Sequence, residues 1–248
     1  MLIVSAIFVG GIMINRLFRG SFSRLTRFEV ALWLSSAAVV IISGIASGFI
    51  SGRWDMFSLS ASLVGVTALI FVAKGHALGQ LLTVVFGLLY GFISLKQRYY
   101  GEMITYLGMT SPMAVFSLIS WLRHPYGDTA EAEVSRLSSR QKLLLPAAAA
   151  AVTAVFYFIL RAMGNASLAV STVSITTSFA ASMLTFWRSP YYALAYAGND
   201  VVLIILWTIA AFHDPSACIP VIACFLMFLL NDIYGFISWR RRQTEQAG

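Results

Sequence analysis

Between residues 28 and 239 one long apolar stretch follows another, and that succession confines the chain to a bundle of membrane-crossing helices. A crossing helix needs roughly 20 predominantly apolar residues, and about eight stretches meet that length: 28–51, 55–75, 77–97, 101–123, 143–163, 167–187, 190–211 and 217–239. With 59% hydrophobic and 11% charged residues, the chain lies far from soluble domains, which carry about 25% charged residues. The spans use most of the 248 residues, so no soluble catalytic domain fits beside them. The opening segment 2–15 is apolar but short and reads as a partial helix, an uncleaved leader or a mis-assigned start. No Ala-x-Ala-like cleavage site follows it, so it is not read as a removed signal peptide.

A net charge of +7 invites a nucleic-acid reading, but the distribution of the 17 Lys and Arg residues gives another cause. Sorted by alternating sides of the spans, one side holds Arg16, Arg19, Arg24, Arg27, Lys74, Arg123, Arg136, Arg140, Lys142, Arg188, Arg240, Arg241 and Arg242, which is 13. The other side holds Arg53, Lys96, Arg98 and Arg161, which is 4. Such asymmetry predicts a multi-pass protein of the cytoplasmic membrane with both termini in the cytoplasm. The basicity is topological, no nucleic-acid partner is expected, and Arg240, Arg241 and Arg242 read as a stop-transfer anchor. Cys218 and Cys224 lie six residues apart, roughly 600° around a helix, so they point to different faces and are expected to be buried small hydrophobes. His76, His124 and His213 sit at span ends without ligand spacing; no metal and no cofactor are expected.

Two short echoes suggest internal duplication. Tyr90-Gly91-Phe92-Ile93-Ser94 recurs as Tyr234-Gly235-Phe236-Ile237-Ser238, and Ile119-Ser120-Trp121 as Ile237-Ser238-Trp239. The connections are short except for the polar stretch 125–141, which precedes the span with the Ala-rich opening 147–151. The expected organisation is an N-terminal segment and extra span (1–54), a first three-helix repeat (55–123), a loop and linker helix (124–166), a second three-helix repeat (167–240) and a cytoplasmic tail (241–248). Three is odd, so one intervening span restores the orientation of the second triplet. The fold class is thus all-α, an extra helix plus a 3+1+3 core of parallel repeats, an arrangement that places a solute site between halves at mid-membrane.

Polar groups inside hydrocarbon are costly and usually face the bundle interior or a solute path. Gln80, Thr83, Gly87 and Tyr90 form one stripe; Glu102, Tyr106 and Thr110 form a second. Ser171, Ser174 and Ser178 share a face that serves equally well as helix–helix glue. Tyr192, Tyr196 and Asn199 share another, with Asp200 beside Asn199; Asn231, Tyr234 and Ser238 align, with Asp232 adjacent. Glu102, near its span's start, reads as an interfacial cap, and Tyr90 and Tyr234 as members of an aromatic belt. Asn199, Asp200 and Asn231 lie well inside spans. Amides and carboxylates beside tyrosine rings suit a solute that has an aromatic ring and several hydroxyls.

Several motifs are similar to those of the PnuC family of nicotinamide riboside transporters. They are Ala73-Lys74-Gly75-His76 with Gly79-Gln80, Tyr99-Tyr100-Gly101-Glu102-Met103, the run from Arg188-Ser189-Pro190-Tyr191-Tyr192 through Asn199-Asp200 to Leu206-Trp207, and Asn231-Asp232-Ile233-Tyr234-Gly235-Phe236. The resemblance covers about residues 55–242. It implies a fold similar to the SWEET transporters, a homotrimer, and facilitated diffusion of nicotinamide riboside trapped by a cytoplasmic kinase. Carried over residue by residue, it picks out Gln80, Tyr106, Tyr192, Tyr196, Asn199 and Asn231 as substrate-binding, to which the polar stripes add Thr83 and Asp200. Many relatives open the corresponding span with Trp-x-x-Trp, where this chain has Tyr192 and Ala195, followed by Tyr196. The altered aromatic shelf leaves thiamine or a deoxynucleoside as alternative solutes on the same scaffold. A membrane-embedded enzyme would need a clustered acid–base or metal set, and the chain offers only scattered Glu102, Asp200, Asp232 and span-end histidines.

Overall fold

The computed structural model describes residues 25–247 apart from Arg53, Gln97, Arg98, Asp128, Ala130, Ala166, His213 and Asp214. The expectations for segment 2–15, for Arg16, Arg19, Arg24, Arg53 and Arg98, and for His213 therefore lie outside the described residues. Among the described residues, eight helices are long and apolar enough to cross a membrane. They are α1 (Arg27–Ser51), α2 (Met56–Ala73), α3 (Ala77–Lys96), α4 (Tyr100–Arg123), α5 (Ser139–Ala162), α6 (Leu168–Phe186), α7 (Tyr192–Ala211) and α8 (Pro215–Glu245). The polar residues between apolar stretches set where several helices begin. Thr26 and Glu29 form a capping box for α1, the Asp55 carboxylate accepts from the Ser58 N–H at the start of α2, and Ser138 and Gln141 form a second capping box for α5. The basic run after Trp239, expected to belong to a tail, continues α8 as helix through Glu245.

Six helices form the body and two flank it. Within their apolar windows α2, α3, α4, α6, α7 and α8 are 39–50% buried, whereas α1 and α5 are 17% and 11% buried. Helix α1 lies on α8 and α2, held by Trp33 Nε1 donating to Thr67 Oγ1 (3.0 Å). Glu29 is 1% exposed and joins the same contact, with Lys74 Nζ at 3.3 Å and Tyr234 donating its hydroxyl to Oε1 at 2.9 Å. Helix α5 lies on α6, where Thr153 and Thr176 hydroxyls meet at 2.6 Å.

Interior packing is strongly aromatic. Phe86, Tyr90, Tyr106, Trp207, Phe225 and Phe228 form one buried cluster. Tyr90 is therefore not in an aromatic belt: it is 3% exposed, accepts a 2.7 Å hydrogen bond from Trp207 Nε1 and lies 4.4 Å, centroid to centroid, from Tyr106. Tyr234 likewise turns toward Glu29 rather than outward. Glu102 is not an interfacial cap, being 1% exposed beside Ser174 of α6. Cys218 and Cys224 are buried, as expected.

One end of the bundle is cross-tied in a paired manner. Trp121, ending α4, donates its indole N–H to the Thr185 carbonyl near the end of α6 (3.0 Å), and Trp239 of α8 donates to the Val72 carbonyl near the end of α2 (2.9 Å). The two indoles lie 5.2 Å apart. The turns after α2 and α6 also match atom for atom. Gly75 N donates to Val72 O and His76 N to Phe71 O; Arg188 N donates to Thr185 O and Ser189 N to Leu184 O. Gly75 and Arg188 occupy corresponding left-handed positions, with φ of 70° and 57°. Glycine suits the first, because a Cβ there would collide with Arg242 Nη1. Arg188 holds the second while its side chain donates to Glu133 O (3.0 Å) and Ser120 Oγ (2.9 Å), and partial burial lowers its pKa below the usual arginine value. The Ile-Ser-Trp echo thus marks structurally corresponding positions. Of the Tyr-Gly-Phe-Ile-Ser echo, one copy lies on α3 and the other on α8.

The polar 124–138 loop crosses this end. His76 pairs with Glu131 and Pro125 with Ala132 as isolated β-bridges, Ala132 N donates to Gly75 O, and Ser135 N to Arg188 O. Arg242 of α8 reaches Glu131 at 3.8 Å, and Gln246 accepts from Val134 N at 2.8 Å.

Candidate functional site

Midway along the body, α2, α3, α4, α6, α7 and α8 surround a narrow cavity. Of the residues singled out from sequence, Gln80 and Thr83 of α3, Tyr106 of α4, and Tyr196, Asn199 and Asp200 of α7 line it together. The Gln80–Thr83 stripe of α3 and the Tyr196–Asn199 face of α7 thus meet at one cavity. Two expected residues stand off it. Tyr192 lies one turn nearer the start of α7, fully buried, with its hydroxyl donating to Val72 O at 3.2 Å. Asn231 turns its Nδ2 to Ser36 Oγ of α1 (3.0 Å) and to Met227 O (2.7 Å), so it ties α8 to α1. Its neighbour Asp232 takes the place at the cavity.

Local structure positions the key side chains. The serine stripe of α6 acts on Asn199: Ser174, Thr177 and Ser178 hydroxyls donate to its Oδ1 at 3.4, 2.8 and 2.9 Å. With the carbonyl held by three donors, the amide NH2 is the group presented to a solute. Tyr196 is steadied by Ser182 Oγ, 3.4 Å from its hydroxyl. Thr83 Oγ1 donates back to Gly79 O (2.8 Å), which leaves its methyl and lone pairs to the cavity wall.

Helix α4 is not regular where it meets the cavity. Residues Thr105–Thr110 form a π-helical turn, closed by Ser111 N donating to Tyr106 O. Pro112 follows, and its missing N–H removes the bond that the Gly108 carbonyl would accept. The widened turn carries both Tyr106 and Thr110 into the lining. Helix α3 approaches it closely where residue 87 is glycine; a Cβ there would collide with Ser111 Oγ.

Phe86 and Phe228 complete the aromatic walls, and Ser178 and Thr110 add hydroxyls. Sequence reading placed Ser178, Thr110 and Asp232 on polar stripes without assigning them to the site. Phe86 and Phe228 carried no signal apart from their apolar neighbours. Asp200 and Asp232 are each 3% exposed, face each other at hydrogen-bonding range across the α7–α8 contact, and lie at the cavity with no basic residue in its lining. Among the described residues, no group of three His, Cys, Asp or Glu side chains is placed to hold a metal. The free space is about 50 Å3, room for one or two water molecules.

Among the described residues, eight helices long and apolar enough to cross a membrane, six of them around a buried site of rings, amides and acids, fit a solute transporter of the membrane. A family model described as nicotinamide mononucleotide transporter matches residues 55–241, and the chain belongs to that family. It is 28% identical over 235 residues to a nicotinamide riboside transporter PnuC from Neisseria mucosa, covering 93% of this chain and 87% of that one. It is 22% identical over 216 residues to the protein of the same name from Haemophilus influenzae, covering 86% and 90%. A crystal structure titled as the vitamin B3 transporter PnuC superposes with a TM-score of 0.77 at 26% identity, covering 91% of this chain and 95% of that one. Helix α1 lies outside the matched family region.

Proposed function

We propose that this protein carries nicotinamide riboside across the cytoplasmic membrane by facilitated diffusion, with both termini in the cytoplasm and a kinase trapping the imported nucleoside. One observation carries the choice of solute: the cavity combines aromatic walls (Phe86, Tyr106, Tyr196, Phe228), amides (Gln80, Asn199) and two carboxyl groups (Asp200, Asp232). A ribosyl-pyridinium has a cationic ring to lie against aromatic faces and carboxylates, and ribose hydroxyls to pair with amides. The likeness to two nicotinamide riboside transporters supports the same solute. Thiamine is the second reading, since it too carries a cationic ring, and Tyr192 and Ala195, followed by Tyr196, stand where many relatives have a tryptophan pair. A neutral deoxynucleoside would leave the acidic pair without a counter-charge. The exposed apolar sides of α1 and α5 leave lipid-facing surface for assembly into the homotrimer that the family resemblance implies.

Calorimetric titration of the purified protein with nicotinamide riboside, thiamine and thymidine tests this reading. Nicotinamide riboside should bind tightest and thymidine weakest. Tighter binding of thymidine than of both cations would overturn it, and tighter binding of thiamine would move the assignment to the second reading.

A further inference from the structure

A second cavity, of about 520 Å3, opens at the cross-tied end of the bundle, away from the solute site. Arg136 of the 124–138 loop, Lys142 at the start of α5, Ser189 and Tyr191 of the α6–α7 turn, and Arg240 and Thr244 of α8 line it. Three cations converge there, and no carboxylate shares the lining. Among the described residues the ion pairs are Lys74 with Glu29 and Arg242 with Glu131, so Arg136, Lys142 and Arg240 have no acidic partner. Like charges gathered at one opening raise the local potential, which makes the cavity a place for a counter-ion.

A buried polar atom points the same way. Ser189 is 1% exposed, lines the cavity, and its Oγ has no hydrogen-bond partner. Buried hydroxyls are normally satisfied, so this one is set to meet a ligand atom. Arg240 is already ordered, its guanidinium 5.9 Å from the Tyr191 ring centroid and donating to Gln243 Oε1. Little side-chain freedom is lost when it takes a ligand.

We infer that the cavity formed by Arg136, Lys142, Ser189 and Arg240 binds a phosphate group, and that the bound group ties the 124–138 loop and the start of α5 to the end of α8. Phosphate fits better than carboxylate because it offers more acceptor oxygens and accepts charge-assisted bonds from several directions at once. Two sources supply that chemistry. One is the headgroup of an anionic phospholipid, whose chains would run along the exposed Leu143 and Leu144 of α5. The other is free phosphate or a phosphomonoester in the aqueous phase.

The full-length protein in detergent, titrated with phosphatidylglycerol, phosphatidylcholine or inorganic phosphate while thermal stability is followed, decides the matter. Phosphatidylglycerol should raise the melting temperature and phosphatidylcholine should not. The R136Q/K142Q/R240Q variant should weaken the apparent affinity on the order of a hundredfold. The equally discharged R123Q/R140Q/R241Q variant, altered outside the cavity, should retain it. If inorganic phosphate also stabilises the parent and competes with the lipid, a free phosphate suffices; if only phosphatidylglycerol acts, the site is a headgroup site. Either outcome supports the phosphate site. The same response in both triple variants, or no response to either anionic compound, overturns it. Should the triple variant fail to fold, Lys142→Gln alone should lose about fivefold and Ser189→Ala should also weaken binding; parent-like titrations of both overturn the site.

Discussion

The amide of Asn199 and that of Asn231 look alike in the sequence, but they have different structural settings. Asn199 faces the cavity with its carbonyl oxygen held by three α6 hydroxyls, whereas Asn231 spends its donor on Ser36 and Met227. Asn199→Ala should weaken nicotinamide riboside binding by about 1–3 kcal/mol, because a ligand hydroxyl is left buried and unpaired. Asn231→Ala should leave that affinity within error and instead lower the melting temperature, since a tie between α8 and α1 is lost. Titration and thermal melting on the two variants check both halves; equal losses of affinity would show that Asn231 touches the ligand after all. Tyr196→Ala should cost about 0.5–2 kcal/mol of binding through the lost cation–π contact. Tyr192→Phe should act on stability alone, its hydroxyl being committed to Val72 O.

At the scale of the element, hydropathy summed over about 20 residues made the spans legible, whereas the caps Thr26, Asp55 and Ser138 that set the starts of α1, α2 and α5 went unread in the sequence. Facing within a span was less legible. Asn231 and Asp232 are one residue, about 100°, apart, and which one meets the cavity depends on how α8 rolls against α1, a contact with no local signal. Tyr90 was misread for a related reason: a tyrosine near a helix end usually meets headgroups, but here Trp207 and Tyr106 enclose it. The π-turn of α4 was also hidden, since Pro112 alone does not say which of several distortions follows. That turn depends on the close approach permitted by Gly87. Gly87→Val should force α3 from Ser111 and destabilise the protein by about 1–3 kcal/mol, with substrate affinity falling because Tyr106 and Thr110 shift. A variant with parent-like melting and binding would show that the approach is not tight.

For the whole molecule, the charge asymmetry and the common end shared by α1's start, the α2 and α6 turns and α8's end argue that both termini face the cytoplasm. Reporter fusions at Gly248 and ahead of Phe28 should both report inside; two outside reports would reverse the topology. Transport should also proceed as uniport. On the proposed function Asp200 and Asp232 would answer the charge of a cationic solute, and the cavity lining holds no basic partner from which to build a relay. Kinase-free vesicles should equilibrate nicotinamide riboside and never concentrate it under a proton or sodium gradient, as isotope uptake would record. Accumulation above the external level would assign the acidic pair to ion coupling.

The two indole bonds, Trp121 to Thr185 O and Trp239 to Val72 O, both lie at the end crossed by the 124–138 loop, and they fasten α4 to α6 and α8 to α2. With space for only a water or two at the solute site, entry of a nucleoside requires the helices to part. Parting at the tied end must break both indole bonds together with the Arg188 contacts, while parting at the far end breaks none of these. The tied end should therefore be the harder of the two to part, and Trp121→Phe with Trp239→Phe is the change that should ease it.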